Sequence, residues 1–112
     1  MSGIDLNTLK QSLRDFADTR DWNQFHSPKN LAMALSAEAS EIIEHFQWLT
    51  VAESLEKMKD PVAKSEVTDE LADVMIYCLS FANEIGVDVS QAIREKLERN
   101  ESRFPISKTN AS

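Results

Sequence analysis

Apolar residues recur along this chain at intervals of three and four, the spacing that lines one face of an α-helix. Leu6, Leu9, Leu13, Phe16 and Ala17 predict a first helix from about Leu6 to Thr19. From Asp18 to Asn30 the pattern breaks into a loop that carries Trp22, Phe25 and His26. Ser27 then supplies an N-cap and Pro28 a first helical position, starting a second helix. Leu31, Leu35, Ala39, Ile42, Phe46 and Leu49 carry that helix to about Trp48. Thr50 and Glu53 have capping-box spacing, which predicts a short third helix over Val51 to Lys59. Asp60 and Pro61 stop it and start the next. The fourth helix is expected from about Val62 to Ile85, with Gly86 as its C-terminal stop. Over Val74 to Ala82 it is apolar on most sides, as a helix covered by several neighbours must be. Asp88 and Gln91 repeat the capping-box spacing and open a fifth helix to about Arg103; Pro105 ends it, and the tail from about residue 107 is expected to fray. The pattern predicts an all-α fold: a bundle of about five helices in one domain spanning residues 1–112.

Acids interrupt the apolar stripes at two places. Glu38 and Glu41 lie within Ala37 to Trp48, and Glu70 and Asp73 within Val67 to Tyr77. Residues three apart share a helix face, so each segment presents a carboxylate pair. At about 100° per residue, both pairs fall on the rim of an apolar stripe, where packing draws them toward a seam between helices. A solvated acidic face is the ordinary reading of one such pair; two on apolar rims point instead to a cluster that needs positive charge. A set of carboxylates alone suits a hard, oxygen-seeking cation, Mg²⁺ or also Mn²⁺.

Composition narrows the class. The chain has 112 residues, 42% hydrophobic and 28% charged, as in a globular protein that gains from an oligomer to complete its core. A formal charge of −7 gives no footprint for a nucleic-acid polymer. No apolar run reaches the ~18 residues of a membrane span, and no leader precedes the first helix. Cys78 is the single cysteine and sits in an apolar run, so it reads as a core thiol in a reducing, cytoplasmic setting. There is no strand alternation and no glycine-rich phosphate loop, with only Gly3 and Gly86 present.

Two chemistries use carboxylate quartets in helical bundles. Di-iron or di-manganese redox sites use Glu-x-x-His on two helices, but this chain has only His26 and His45, neither on the fourth helix. Metal-assisted hydrolysis of a phosphoanhydride fits better, with metal and basic side chains neutralising phosphate charge. Lys96, Asn100 and Arg103 align on one face of the fifth helix; taken alone they read as a solvated face. Trp22, Phe25 and His26 are either anchors for their loop or a stacking platform for a planar ligand.

The blocks QFHSPKNL, AEASEIIEHFQW, DELADVMIY and REKLERNESRFP, in this order, resemble those of the MazG-like all-α nucleoside triphosphate pyrophosphohydrolases, most closely the small dCTP pyrophosphatase branch. The resemblance runs from roughly Phe16 to Pro105. It implies Mg²⁺-dependent hydrolysis of a nucleoside triphosphate, dCTP or a modified dCTP, to the monophosphate and pyrophosphate, by a homodimer or homotetramer. It implies Glu38, Glu41, Glu70 and Asp73 as metal ligands, with Glu38 or Glu41 also acting on the attacking water. Trp22, His26 and Trp48 match base-pocket positions, Tyr77 a position near sugar or base, and Lys96, Asn100 and Arg103 the phosphate side. Ser40 and Phe104 depart from the glycine and tyrosine frequent at their positions. Glu44 and Glu66 extend the acidic faces as outer ligand-supporting groups or as surface acids. The rival reading is a non-catalytic, metal-binding helical partner or regulatory subunit.

Overall fold

The computed structural model describes residues 5–106. The tail expected to fray from residue 107 lies outside them. Five α-helices follow one another: α1 (Leu6–Thr19), α2 (Pro28–Glu44), α3 (Val51–Lys57), α4 (Pro61–Ile85) and α5 (Val89–Arg103). Among the described residues there is no strand. Each helix begins at a side chain that accepts from a backbone N–H its own helix cannot satisfy: Asp5, Ser27, Thr50, Asp60 and Asp88 in turn. Thr50 and Glu53 form the full reciprocal box, with bonds of 3.1 and 2.8 Å. At α5 only half of the expected box forms. Asp88 accepts from the Gln91 N–H, while the Gln91 amide donates to Glu95 at 2.9 Å.

The second helix ends four residues before the expected Trp48. After Glu44 the chain tightens: Phe46 N–H donates to Ile43 O at 2.9 Å and Leu49 N–H to Phe46 O at 2.9 Å. The apolar period continues through Phe46 and Leu49, but the Thr50 cap sets the next helix on a new axis. Lys57 Nζ reaches back to His45 O at 2.6 Å and takes up one of the carbonyls left at the end of α2. α3 likewise stops at Lys57, two residues short of Lys59, as Asp60 turns to cap α4. Gly86 closes α4 at φ 70°, in the left-handed region that favours glycine.

The centre of the fold is α4, against which α2 and α1 pack; no other pair of helices packs as extensively. The buried apolar residues of the described chain are Ala17, Leu31, Ala63, Leu79 and Ala82. That is a small core, and three of its five members are alanine. On the expected apolar run of α4, Leu79 and Ala82 are buried, Cys78 is half-buried, and Met75 and Ile76 remain exposed. α5 extends with Ile93 and Leu97 exposed along it. No helix among the described residues is long and apolar enough to cross a membrane.

With so few buried side chains, each one matters. Leu31 is 2% exposed where α2 meets α4, and Leu31→Ala removes it without filling the space. The substitution is expected to lower stability by about 2–5 kcal/mol in urea unfolding; a loss below ~0.5 kcal/mol would show that this contact is not part of the core.

Candidate active site

α2 and α4 run antiparallel in a register that sets Glu38 and Glu41 beside Glu70, and Ala34 beside Tyr77. Carboxylate oxygens of Glu38, Glu41 and Glu70 lie within 4.8 Å of one another. Asp73, one turn beyond Glu70, is outside this tight group and exposed, yet its charge acts on both Glu38 and Glu70. Glu44 and His45 line the open side of the cluster with Glu41 and Glu70, around a cavity of about 370 Å³.

Among the described residues no lysine or arginine forms a salt bridge with the cluster, and the one salt bridge joins Lys59 and Glu56 on the surface. Glu70 is half-buried, and its Oε2 is shut off from solvent with no hydrogen-bond partner. An orphaned carboxylate oxygen in such a place demands either a proton or a cation. A proton on Glu70 would give the pair the donor it lacks, and this sharing with Glu41 is the main cause that pushes the Glu70 pKa up to about 7; desolvation and the charges of Glu41, Asp73 and Glu38 follow. Glu38 is also raised, first by desolvation and then by Glu41 and Asp73. A cation would meet the same need. For Mg²⁺, with ligands at about 2.1 Å in an octahedron, adjacent and opposite oxygens stand about 3 and 4 Å apart. The cluster is therefore compatible in donor type and spacing with a metal ion.

Further along the same helix pair the lining changes from acidic to aromatic. Trp22, His26 and Tyr77 come together, with Phe25, Asn30, Leu31 and Ala34 on one side. On the other, Leu13, Phe16 and Ala17 of α1 face Ile76 and Ser80 of α4 around about 350 Å³. Local chemistry shapes this wall. Trp22 N–H bonds Ala17 O at 2.9 Å, folding the loop back on α1 after Asp21, whose φ of 56° is a left-handed turn that Asp tolerates. A 3-10 turn follows at Asn23–Phe25, and Asn30 ties it to α2 by donating to Phe25 O at 3.2 Å. Phe16 and Trp22 meet edge to face at 5.3 Å between centroids.

Of the residues singled out in the sequence, Glu38, Glu41 and Glu70 form one group and Trp22, His26 and Tyr77 another. Trp48 is in neither. It is 87% exposed and lies beyond the C-terminal end of α2. Lys96, Asn100 and Arg103 lie on α5, and none of them lines the acidic or the aromatic cavity. Glu66 is exposed. Phe16, Leu13 and Ser80 line the aromatic cavity without having been candidates. Their only signal was helical period, which read Leu13 and Phe16 as packing residues.

The fold and the site define an all-α protein whose central helix pair carries a carboxylate cluster fit for a metal, next to an aromatic cavity. The chain belongs to the MazG-like family, whose profile matches residues 33–112. It is 37% identical over 101 residues to dCTP pyrophosphatase 1 of Rattus norvegicus, covering 90% of this chain and 59% of that protein. The chain thus spans about 59% of the length of that curated relative. A dATP/dGTP diphosphohydrolase of Cyanophage S-2L is 43% identical over 56 residues, 48% of this chain and 53% of that one. The crystal structure of a pyrophosphatase from Archaeoglobus fulgidus superposes with a TM-score of 0.84 at 36% identity, covering 95% of this chain and 97% of that one.

The raised carboxylates predict how metal-free stability varies with pH. Between the unfolded glutamate value of about 4.3 and the folded Glu70 value of about 7, the native state holds a proton the unfolded chain has released. The contribution of Glu70 to stability should therefore be full below that window, fall as pH rises through it, and level off above. Glu70→Gln should flatten the fall and raise metal-free stability at pH 8. Urea titrations in EDTA at several pH values check this, and an equally steep fall in the variant would disprove the assignment to Glu70.

Proposed function

We propose that this protein is a metal-dependent nucleoside triphosphate pyrophosphohydrolase that converts dCTP, or a modified dCTP, to the monophosphate and pyrophosphate. The observation that carries the reading is the join of the two sites. Three carboxylates from α2 and α4 converge within 4.8 Å, and the aromatic cavity opens farther along the same helix pair. One end suits a metal-bound triphosphate and the other a planar base. The names of the rat and archaeal proteins favour pyrophosphate release.

Mg²⁺ is the metal we assign, with Mn²⁺ as an alternative, held by Glu38, Glu41, Glu70 and Asp73. Such an ion neutralises charge on the phosphate oxygens and acidifies water. Glu38 or Glu41 accepts the proton of the attacking water, and the other orients it. Trp22 and His26 hold the base and Tyr77 the sugar or base.

We propose further that the working form is a homodimer or homotetramer. A single chain leaves Leu71, Met75 and Ile76 of α4 exposed, more apolar surface on a central helix than a monomer retains. Trp48, Lys96, Asn100 and Arg103, which line neither the acidic nor the aromatic cavity of their own chain, would then serve the base and phosphates in a site of another copy. A single unpaired cysteine, Cys78, fits a cytoplasmic protein.

A panel of deoxynucleoside and nucleoside triphosphates with Mg²⁺, assayed separately for pyrophosphate and orthophosphate, tests the reaction. dCTP is expected to give pyrophosphate and to give none in EDTA. Orthophosphate release would refute the reaction, and metal binding without turnover of any nucleotide would favour a non-catalytic partner. Trp22→Ala should raise KM by about 5- to 150-fold, since one stacked base is worth ~1–3 kcal/mol, while leaving the Mg²⁺-induced rise in Tm unchanged. An unaltered KM would return Trp22 to a purely structural role. Light scattering at micromolar concentration should give at least twice the 12.7 kDa mass of the chain.

A further inference from the structure

We propose that Ser80 reads the exocyclic group of the base, an inference that rests on the aromatic cavity being the base slot. Ser80 stands on α4 one turn beyond Tyr77, and it lines two cavities at once. On one side is the apolar slot of about 350 Å³ with Trp22, His26 and Tyr77. On the other is a small polar recess of about 40 Å³ bounded by Arg14, Asn23, Asn83 and Glu84. A recess of that size admits a water molecule or a substituent and no ring. A planar base in the slot would therefore point its substituted edge at the recess, past Ser80 and His26.

The hydroxyl of Ser80 is available for that edge. Serine and threonine on helices commonly return their hydroxyl to a carbonyl one turn back. Ser12, Ser54 and Thr68 do so here, with bonds of 3.1, 2.7 and 2.7 Å. Ser80 is half-buried and makes no such bond, nor any other among the described residues. Two of its polar neighbours, Arg14 and Asn83, are engaged with each other. Arg14 Nη2 donates to Asn83 Oδ1 at 3.2 Å, and Asn83 Nδ2 donates to Lys10 O at 2.9 Å. The Asn83 amide is thus used at both ends and joins α1 to α4, so the two walls of the slot are held at a set separation while Ser80 faces into it with its hydrogen bonds unmade.

Position along the helix fits the same assignment. Ser80 lies about 10 Å along α4 from Asp73, with Tyr77 between them. Phosphate end, sugar and base edge of one nucleotide would then meet acid, phenol and hydroxyl in sequence. A hydroxyl both donates and accepts, so it serves an exocyclic amine or an exocyclic oxygen; what it penalises is a base with neither, which leaves it unpaired in an apolar slot.

The test is a cycle on Ser80→Ala with two substrates: the best nucleotide from the panel, and its analogue lacking the exocyclic group. For dCTP the analogue is the 2-pyrimidinone deoxynucleoside triphosphate, and for a purine the 6-unsubstituted purine nucleotide. Alanine is a strong helix former, and an unchanged Tm with an unchanged Mg²⁺ shift will establish that fold and metal site are intact. Ser80→Ala should lower kcat/KM for the parent nucleotide about five- to tenfold, mainly through KM, the effect of one neutral hydrogen bond. For the analogue the loss should be no more than about twofold. Equal losses on both substrates, or none on the parent, overturn the assignment. Absence of turnover by the unaltered protein removes the reaction, and this proposal with it, and is a separate result from turnover that is indifferent to Ser80.

Discussion

Like charges held together without a counter-charge are the constraint around which this molecule is built. The antiparallel register of α2 and α4 brings Glu38, Glu41 and Glu70 within 4.8 Å, and no lysine or arginine among the described residues pairs with them. Such a seam opposes its own formation. That repulsion is opposed by the burial of a few apolar residues on the same two helices, Leu31 of α2 and Ala63, Leu79 and Ala82 of α4, and it is relieved by whatever neutralises the acids. A proton relieves part of it, as the high affinity of Glu70 for one expresses. A divalent cation relieves more, because it meets several carboxylates at once. Folding, proton binding and metal binding are therefore linked through one cluster.

The same register separates two chemical environments along one helix pair. At Glu41 and Glu70 the seam is acidic; at Ala34 and Tyr77, two turns away, it is aromatic. Small residues matter in this second half. Ala34 and Ala17 leave room that larger side chains would fill, and the loop between α1 and α2 folds its Trp22 and His26 over the opening. The loop holds that place through backbone bonds to Ala17 and one side-chain bond from Asn30, so its aromatics are positioned by polar contacts at their base. They are both anchors of the loop and walls of a cavity, which makes the two readings of this aromatic loop compatible.

A single copy of the chain leaves much of its own architecture uncovered. α4 is central, yet Leu71, Met75 and Ile76 on it are exposed, and α5 carries Ile93 and Leu97 into the open. The apolar period of these helices is satisfied on one side only. Trp48, 87% exposed, lines neither the acidic nor the aromatic cavity of its own chain.

Helix number, order and nearly all of the starts were legible in the sequence, because capping and periodicity are local. Asp5 to Arg103 folds as its caps and apolar spacing dictate, and where the expectation failed, at the ends of α2 and α3, the chain turned early into the cap of the next helix. The acidic pairs were legible for the same reason, since i and i+3 share a face on any helix. What no local pattern contains is the offset between two helices. Only the packing of α2 on α4 decided that Glu70, and not Asp73, joins Glu38 and Glu41 in the tight group. Only that packing sealed one oxygen of Glu70 from water. The convergence of Phe16, Trp22, Tyr77 and Ser80 likewise needs α1, the loop and α4 in place together. Periodicity determines which way a residue faces along its own helix; what it faces is a property of long-range contacts, and those exist only in the folded chain.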